Sequence, residues 1–387
     1  MIGRPLPYTL RTEDGSLLAV KGFVIRNRPE LDMLQEKRAL FVEQPPPIGR
    51  ESSARLNAML NQDTTLGEIA DSALVDIKPL ARAAVERETK IDWHSMQLRA
   101  NRVLRDVTSP YAMLRLRELH HDLAKQVQMH PDASLLALIH LSTTDNDLYS
   151  ATHALLVSTM CMMAARDVLG WKDENQQVLG MAALTMNFAM TEMQDQLAKQ
   201  KAPPSVEQKE IIEGHPEGAV QMLQKLGVDD SRWLDAVFHH HDAQPGPLKT
   251  RELNMQMARL IQRSDVFAAR LAPRAARGGM TTPSALQAAY FDEKRQVDEA
   301  GAALVKAVGI YPPGSYVRLS NNEVAAVVKR GVNTTTPKVA VLVNKSGSPT
   351  GEPIVRLTGL GDFRISGSVL HSDVKVHFDL ERMLQLV

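Results

Sequence analysis

Ala236-Val237-Phe238-His239-His240-His241-Asp242 ends an apolar run in consecutive histidines. If a helix stops there, two of the imidazoles can turn into one cavity. Imidazole is the commonest neutral metal ligand near pH 7. Two further stretches fit the same chemistry. Upstream lies Gly214-His215-Pro216-Glu217-Gly218, and downstream Arg263-Ser264-Asp265-Val266-Phe267 sets an acid inside an apolar helical pattern. The set predicts a metal-type cavity, working or vestigial, surrounded by His215, His240, His241 and Asp265. The rest of the chain then reads as scaffolding for it.

Composition bounds the reading. At 387 residues, two or three domains of about 150 residues each are expected. Hydrophobic residues make up 44%, ample for a core. Lys+Arg and Asp+Glu are 45 each, so no global charge draws the chain to nucleic acid or to a membrane surface. Aromatics are 4% while methionines number 18, which suits a helical, Met-filled interior better than an aromatic-rich β fold. The lone Cys161 excludes an internal disulfide, suits a reducing compartment and, between Met160 and Met162, reads as core. Met1-Ile2-Gly3-Arg4-Pro5 lacks the apolar core of a signal peptide. The longest apolar stretch, Ala154 to Ala165, is too short to span a bilayer. A soluble, cytoplasmic protein without membrane insertion is expected.

In chain order, residues 1–47 read as a small β-containing domain. Tyr8 to Thr12 and Leu17 to Val20 flank a turn at Asp14-Gly15, and Phe23-Val24-Ile25 follows. Pro29 to Leu40 reads as a short helix, and Pro45-Pro46-Pro47 as a stiff linker. Residues 48–129 read as a helical connecting region. Leu66, Ile69, Ala70 and Leu74 recur at helical spacing, as do Leu80, Ala83, Ala84 and Val85. Ser109-Pro110 opens a helix over Tyr111 to Val127, with His120 and His121 expected on its solvated face. Residues 130–314 read as a helical domain. It carries stops at Gly170, Gly227 and Gly309, a capping box at Ser205, and a helix start at Thr282-Pro283. Residues 315–387 read as a β-rich extension. Its expected strands are Tyr316 to Leu319, Val324 to Val328, Val339 to Val343, Ile354 to Leu357 and Val374 to Phe378. The expected fold class is mainly α, a helical bundle between two small β-containing pieces.

The helical domain resembles the HD-GYP branch of the HD superfamily, over about His130 to Pro337. His215, Pro216 and Gly218 match the family's His-Pro-x-x-Gly, and His240-His241-Asp242 matches its His-His-Glu with Asp for Glu. Ser264-Asp265-Val266-Phe267 resembles its Ala-Asp-x-Phe. Ala272-Pro273-Arg274 through Arg277 matches an Arg-Pro-Tyr-Arg segment. Gly309 to Gly314 with Val317 to Ser320 is close to the family's ending. His153, in Tyr149-Ser150-Ala151-Thr152-His153, matches the first histidine ligand. Pro5-Leu6-Pro7 to Ile25 resembles the small domain that precedes some members.

The resemblance implies an HD-type, metal-dependent phosphohydrolase fold, often acting on cyclic di-GMP. It implies metal positions at His153, Asn187, His215, His240, His241 and Asp265, and candidate phosphate contacts at Arg274 and Arg277. The departures lie in one segment. Leu184-Thr185-Met186-Asn187-Phe188-Ala189-Met190 stands where the family has Leu-Leu-His-Asp-Ile-Gly-Lys. The loop after Asp242 lacks the family's Gly-Tyr signature. Asn187 offers only a neutral carbonyl where the family's aspartate bridges two ions. Met186 offers a soft thioether, and Met190 removes a cation. The face shared by Met186 and Met190 is expected to be core packing.

Three readings compete on this evidence. The preferred one is a degenerate, weakly hydrolysing or inactive signalling module that binds cyclic di-GMP, a similar nucleotide or a partner protein. The others are an active phosphodiesterase with an altered metal site, and a ligand-free structural adaptor. The expected cofactor is a divalent metal (iron, manganese or zinc), a single ion on three histidines, or none.

Overall fold

The structure is a computed structural model. It describes residues 92–387, apart from 244, 360, 362 and 377, and three short backbone strands before them. Those strands are β1 (Leu10–Thr12), β2 (Leu17–Ala19) and β3 (Ala39–Val42), in the antiparallel order β2-β1-β3. The pairing of β1 with β2 across Asp14-Gly15 is the hairpin expected there. Ala39 and Leu40, the last two residues of the helix expected over Pro29 to Leu40, instead open β3, and residues 29–38 lie outside the described residues. Phe23 to Ile25, Pro45 to Pro47 and the periodic segments from Leu66 to Val85 lie outside the described residues.

The rest of the chain is mainly helical, closed by an antiparallel sheet. The helices are α1 (Trp93–Val103), α2 (Ala112–Met129), α3 (Pro131–Thr144), α4 (Tyr149–Asp167), α5 (Asp173–Thr185), α6 (Thr191–Lys199) and α7 (Val206–Lys225). After them come α8 (Ser231–Phe238), α9 (Leu253–Leu271), α10 (Thr282–Tyr290) and α11 (Glu299–Val308). Helix α4 is the axis. Every residue from Tyr149 to Ala165 is buried, because the segment is apolar or small on all sides. It packs against α1, α3, α5, α9 and α11. Among the described residues, no helix is long and apolar enough to cross a membrane.

The helix ends follow local chemistry. Ser205 accepts from the Gln208 amide while the Gln208 side chain accepts from Ser205 N, a closed capping box. Gly227, at φ +85°, ends α7 with Val228 N bonded to Leu223 O and Gly227 N to Gln224 O. Any side chain there would pay for the left-handed backbone.

His120 departs from expectation. It is 5% exposed, buried against α5 rather than solvated. A Cβ added at Gly180 would fall 2.4 Å from its Nε2, so the glycine makes room for the ring. Burial pushes the imidazole down to about 4, keeping it neutral.

The sheet has the order β7-β6-β5-β4-β8, with β4 (Tyr316–Leu319), β5 (Val324–Lys329), β6 (Lys338–Val343), β7 (Pro349–Leu357) and β8 (Ile365–Val369). Alternate residues feed two layers. Val317, Leu319, Val327 and Val341 pack on one face. Tyr316, Val328 and Leu342 pack on the other, with Leu136 of α3 and with Met383 in the short helix α12 (Leu380–Leu384). Val374 to Phe378 is not the strand expected. Its described residues run as irregular chain after a 3-10 turn at His371–Asp373, and Val374, Val376 and Phe378 cover the second face.

Contacts group the chain into two compact units, Met1–Lys90 and Ile91–Val387. The four-part division expected from sequence follows secondary-structure type. By packing, the terminal sheet and the helices share one unit. Arg330 shows how they join: it donates to Asp132 of α3 at 2.5 Å and to the Ala307 carbonyl of α11 at 2.6 Å.

Candidate metal centre

His215 sits mid-helix in α7, one residue before Pro216. Proline has no N–H, so the carbonyl four residues earlier, Ile212 O, loses its helical donor. His215 takes that place, its Nδ1 donating to Ile212 O at 2.5 Å. This fixes the tautomer and leaves the Nε2 lone pair for a ligand. His240 follows the end of α8, where the last carbonyls lack helical partners. Its Nδ1 donates to Val237 O at 2.6 Å, leaving Nε2 as acceptor again.

The two Nε2 atoms stand 3.2 Å apart. With both Nδ1–H groups spent on carbonyls, two lone pairs face each other, and a cation between them relieves that repulsion. A proton is poorly suited to the task. Burial pushes His215 down to about 4 and His240 to about 3. His241 completes the group: one ring nitrogen from each of His215, His240 and His241 falls within 4.8 Å of the others. His215 and His240 are buried, and His241 is exposed on the open side. Neutral imidazoles whose outer nitrogens are tied to carbonyls are the donor set a divalent ion takes.

Asp265 and His153 lie beside this triad. His153 Nε2 donates to Asp265 Oδ1 at 2.7 Å, and His153 Nδ1 is buried without a partner. Burial alone would raise Asp265. The His153 hydrogen bond, with the neighbouring imidazoles, outweighs that and holds the carboxyl well below the usual range. The pair is thus electrostatically coupled to the triad.

Arg274 reaches the pair indirectly. It donates to the Tyr149 hydroxyl at 2.6 Å, and the Tyr149 ring stacks on His153 with centroids 5.6 Å apart. Arg277 donates to Ala269 O at 2.5 Å and caps the end of α9. Asp242, which stands where the family has Glu, is held by His239, whose Nδ1 lies 2.7 Å from its Oδ2.

The departing segment runs from the end of α5 into a 3-10 turn at Phe188–Met190. Met186 is 1% exposed and part of the main core, and Met190 is 8% exposed. Asn187 is half-buried, and its side chain makes no hydrogen bond with a described residue. Gly218 lets this turn approach α7, since a Cβ there would meet Ala189 Cβ at 2.9 Å.

Sequence reasoning missed three contributors. Tyr149 was legible in principle, one turn before His153 on the same helical face. The Ile212 carbonyl was legible as the position four before a mid-helix proline. Gln262, whose Nε2 donates to Asp242 O at 3.1 Å and steadies the histidine turn, left no local signal.

No family model matches the chain. A curated relative, cyclic di-GMP phosphodiesterase PA4108 of Pseudomonas aeruginosa, is 26% identical over 256 residues, covering 63% of this chain. The chain spans 59% of that relative's length. A solved structure, Bd1817, a HDG"Y"P protein from Bdellovibrio bacteriovorus, aligns at 17% identity and a TM-score of 0.44, covering 78% of this chain and 94% of its own. The resemblance read from the motifs is met by the curated relative.

Proposed function

We propose that this chain is a degenerate HD-GYP-like signalling protein of the cytoplasm. It holds a single divalent ion on His215, His240 and His241, and binds cyclic di-GMP or a similar nucleotide with weak or no hydrolysis. The observation that carries the metal reading is the pair of Nε2 lone pairs facing each other at 3.2 Å, with both Nδ1 atoms tied to carbonyls. A divalent ion bound there supplies positive charge that polarises a phosphoryl oxygen or water. The chain's own groups orient and exclude. Ile212 and Val237 carbonyls aim the two buried imidazoles. Asp265 adds negative charge nearby, and Tyr149 with Arg274 backs His153.

Weak hydrolysis follows from the segment at Met186. Phosphodiester cleavage needs many kcal/mol of help, and two-metal enzymes supply it by clamping attacking and leaving oxygens together. Met186 is withdrawn into the core. Asn187 lacks the charge to bridge two ions, and Met190 brings no cation. His153 Nε2 is spent on Asp265.

Titration calorimetry with cyclic di-GMP, metal analysis, and turnover with iron, manganese and zinc each supplied test this reading. About one ion per chain and saturable binding without appreciable turnover are expected. Robust turnover that disappears in Asp265→Ala would establish the active phosphodiesterase instead.

A further inference from the structure

A second cavity lies away from the histidine centre, between α3, the loop after α9 and the irregular segment that follows β8. It encloses about 290 Å³, near the lower end of small-molecule sites. None of His153, His215, His240, His241 or Asp265 lines it. Four aromatic rings form part of its wall, beside aliphatic residues such as Leu271, Val374 and Val376. Phe378 packs on His140 at 4.6 Å between centroids, and Tyr316 packs on His371 at 4.5 Å. No described side chain lining it is Lys, Arg, Asp or Glu.

Among its polar groups, the Thr143 and Thr144 hydroxyls are spent on carbonyls of their own helix. His371 donates from Nε2 to Gly314 O at 2.9 Å, which leaves Nδ1 as an acceptor. Burial pushes His371 down to about 4, so the ring is uncharged near neutral pH. Tyr316 is 5% exposed, yet its hydroxyl makes no hydrogen bond with any described residue. The hydroxyl lines the cavity and is free to bond a guest there.

We propose that this cavity is a binding site for an uncharged, planar aromatic molecule of one or two fused rings, seated against Phe378 and Tyr316 and hydrogen-bonded to the Tyr316 hydroxyl. Ring faces and edges favour an aromatic guest. The lack of lining charge disfavours an anion, whose desolvation nothing there would offset. The site is lined by α3, the loop after α9 and the terminal extension, with none of the histidine centre's residues, so it is independent of the metal reading.

The test uses the full chain and two probes of one ring size, naphthol and naphthoate, followed by saturation-transfer NMR at neutral pH. Naphthol should bind saturably, and the anionic naphthoate at least tenfold more weakly. Tyr316→Phe, which keeps the ring, should weaken naphthol five- to tenfold, the worth of one hydrogen bond. Thr144→Trp, at an exposed lining position, should abolish binding by filling the mouth. Circular dichroism checks that both variants fold. Absence of saturable naphthol binding by the wild type overturns the proposal without reference to any variant. So does naphthoate binding as tightly as naphthol, or naphthol affinity unchanged in both folded variants.

Discussion

Pro216 orients His215 through a vacated carbonyl. By removing one helical N–H it frees Ile212 O, and His215 Nδ1 occupies it at 2.5 Å. Pro216→Ala restores the competing donor. It should firm the helix, since proline is a poor interior residue, yet weaken zinc or manganese binding by about 10–100-fold, the usual cost of losing an outer-shell partner. Calorimetric metal titration beside thermal unfolding separates the two effects, and unchanged affinity would detach the proline from the site. His120 gives a pH prediction. Its folded value of about 4 lies below its ordinary 6.5, so the unfolded chain takes the proton first. Stability from this ring is full above about pH 6.5 and is lost as pH falls toward 4. His120→Asn should therefore lose roughly 2 kcal/mol less than wild type between pH 7.5 and 5 in urea unfolding. At this scale, the histidines and Asp265 were legible as anomalies of composition. The solvation of His120 was misread because its burial depends on a glycine sixty residues away in sequence, Gly180.

Among the elements, those whose ends are set by local backbone chemistry were legible. Gly170, Gly227 and Gly309 do stand at positive φ after helices, and Ser205 closes its capping box. Strands β4, β5 and β6 fall where short, β-prone apolar runs placed them. Strand β8 was not foreseen, because Ile365-Ser366-Gly367-Ser368-Val369 has apolar residues only at its ends and is held by pairing with β4. Val374 to Phe378 looked like a strand, but its apolar residues serve as a cover over the sheet. The segment from Met186 to Met190 is where element and site meet. Met186 is 1% exposed in the main core, so Met186→Ala should destabilise the chain by roughly 2–5 kcal/mol through the cavity it leaves. Denaturant unfolding measures that loss. Metal content per folded chain should stay unchanged, whereas a fall in both would make Met186 part of the metal site.

At the scale of the molecule, the β-rich appendage at the end of the chain shares buried surface with the helices. Leu136 of α3 is fully buried in the same cluster as Tyr316, Val328 and Leu342. Arg330 at the end of β5 holds Asp132 of α3 and the Ala307 carbonyl of α11. Sequence pattern could not show this, because a change from helical to strand periodicity looks the same whether the two parts share a core or are joined by a linker. Shared apolar surface couples their unfolding, since opening either part exposes the face of the other to water. Ile91–Val387 should therefore unfold in one transition. Trp93, Trp171 and Trp233 lie on the helical side, and their fluorescence follows the helices. Hydrogen exchange at β5 and β6 amides follows the sheet, and the two probes should give the same free energy of opening. Arg330→Met should lower both together by about 2–4 kcal/mol, because it leaves the mostly buried Asp132 carboxylate without its partner. A sheet that exchanges freely while the tryptophan signal stays native would show two domains joined by chain alone. It would also remove the rigid wall on which the aromatic cavity at Tyr316 depends.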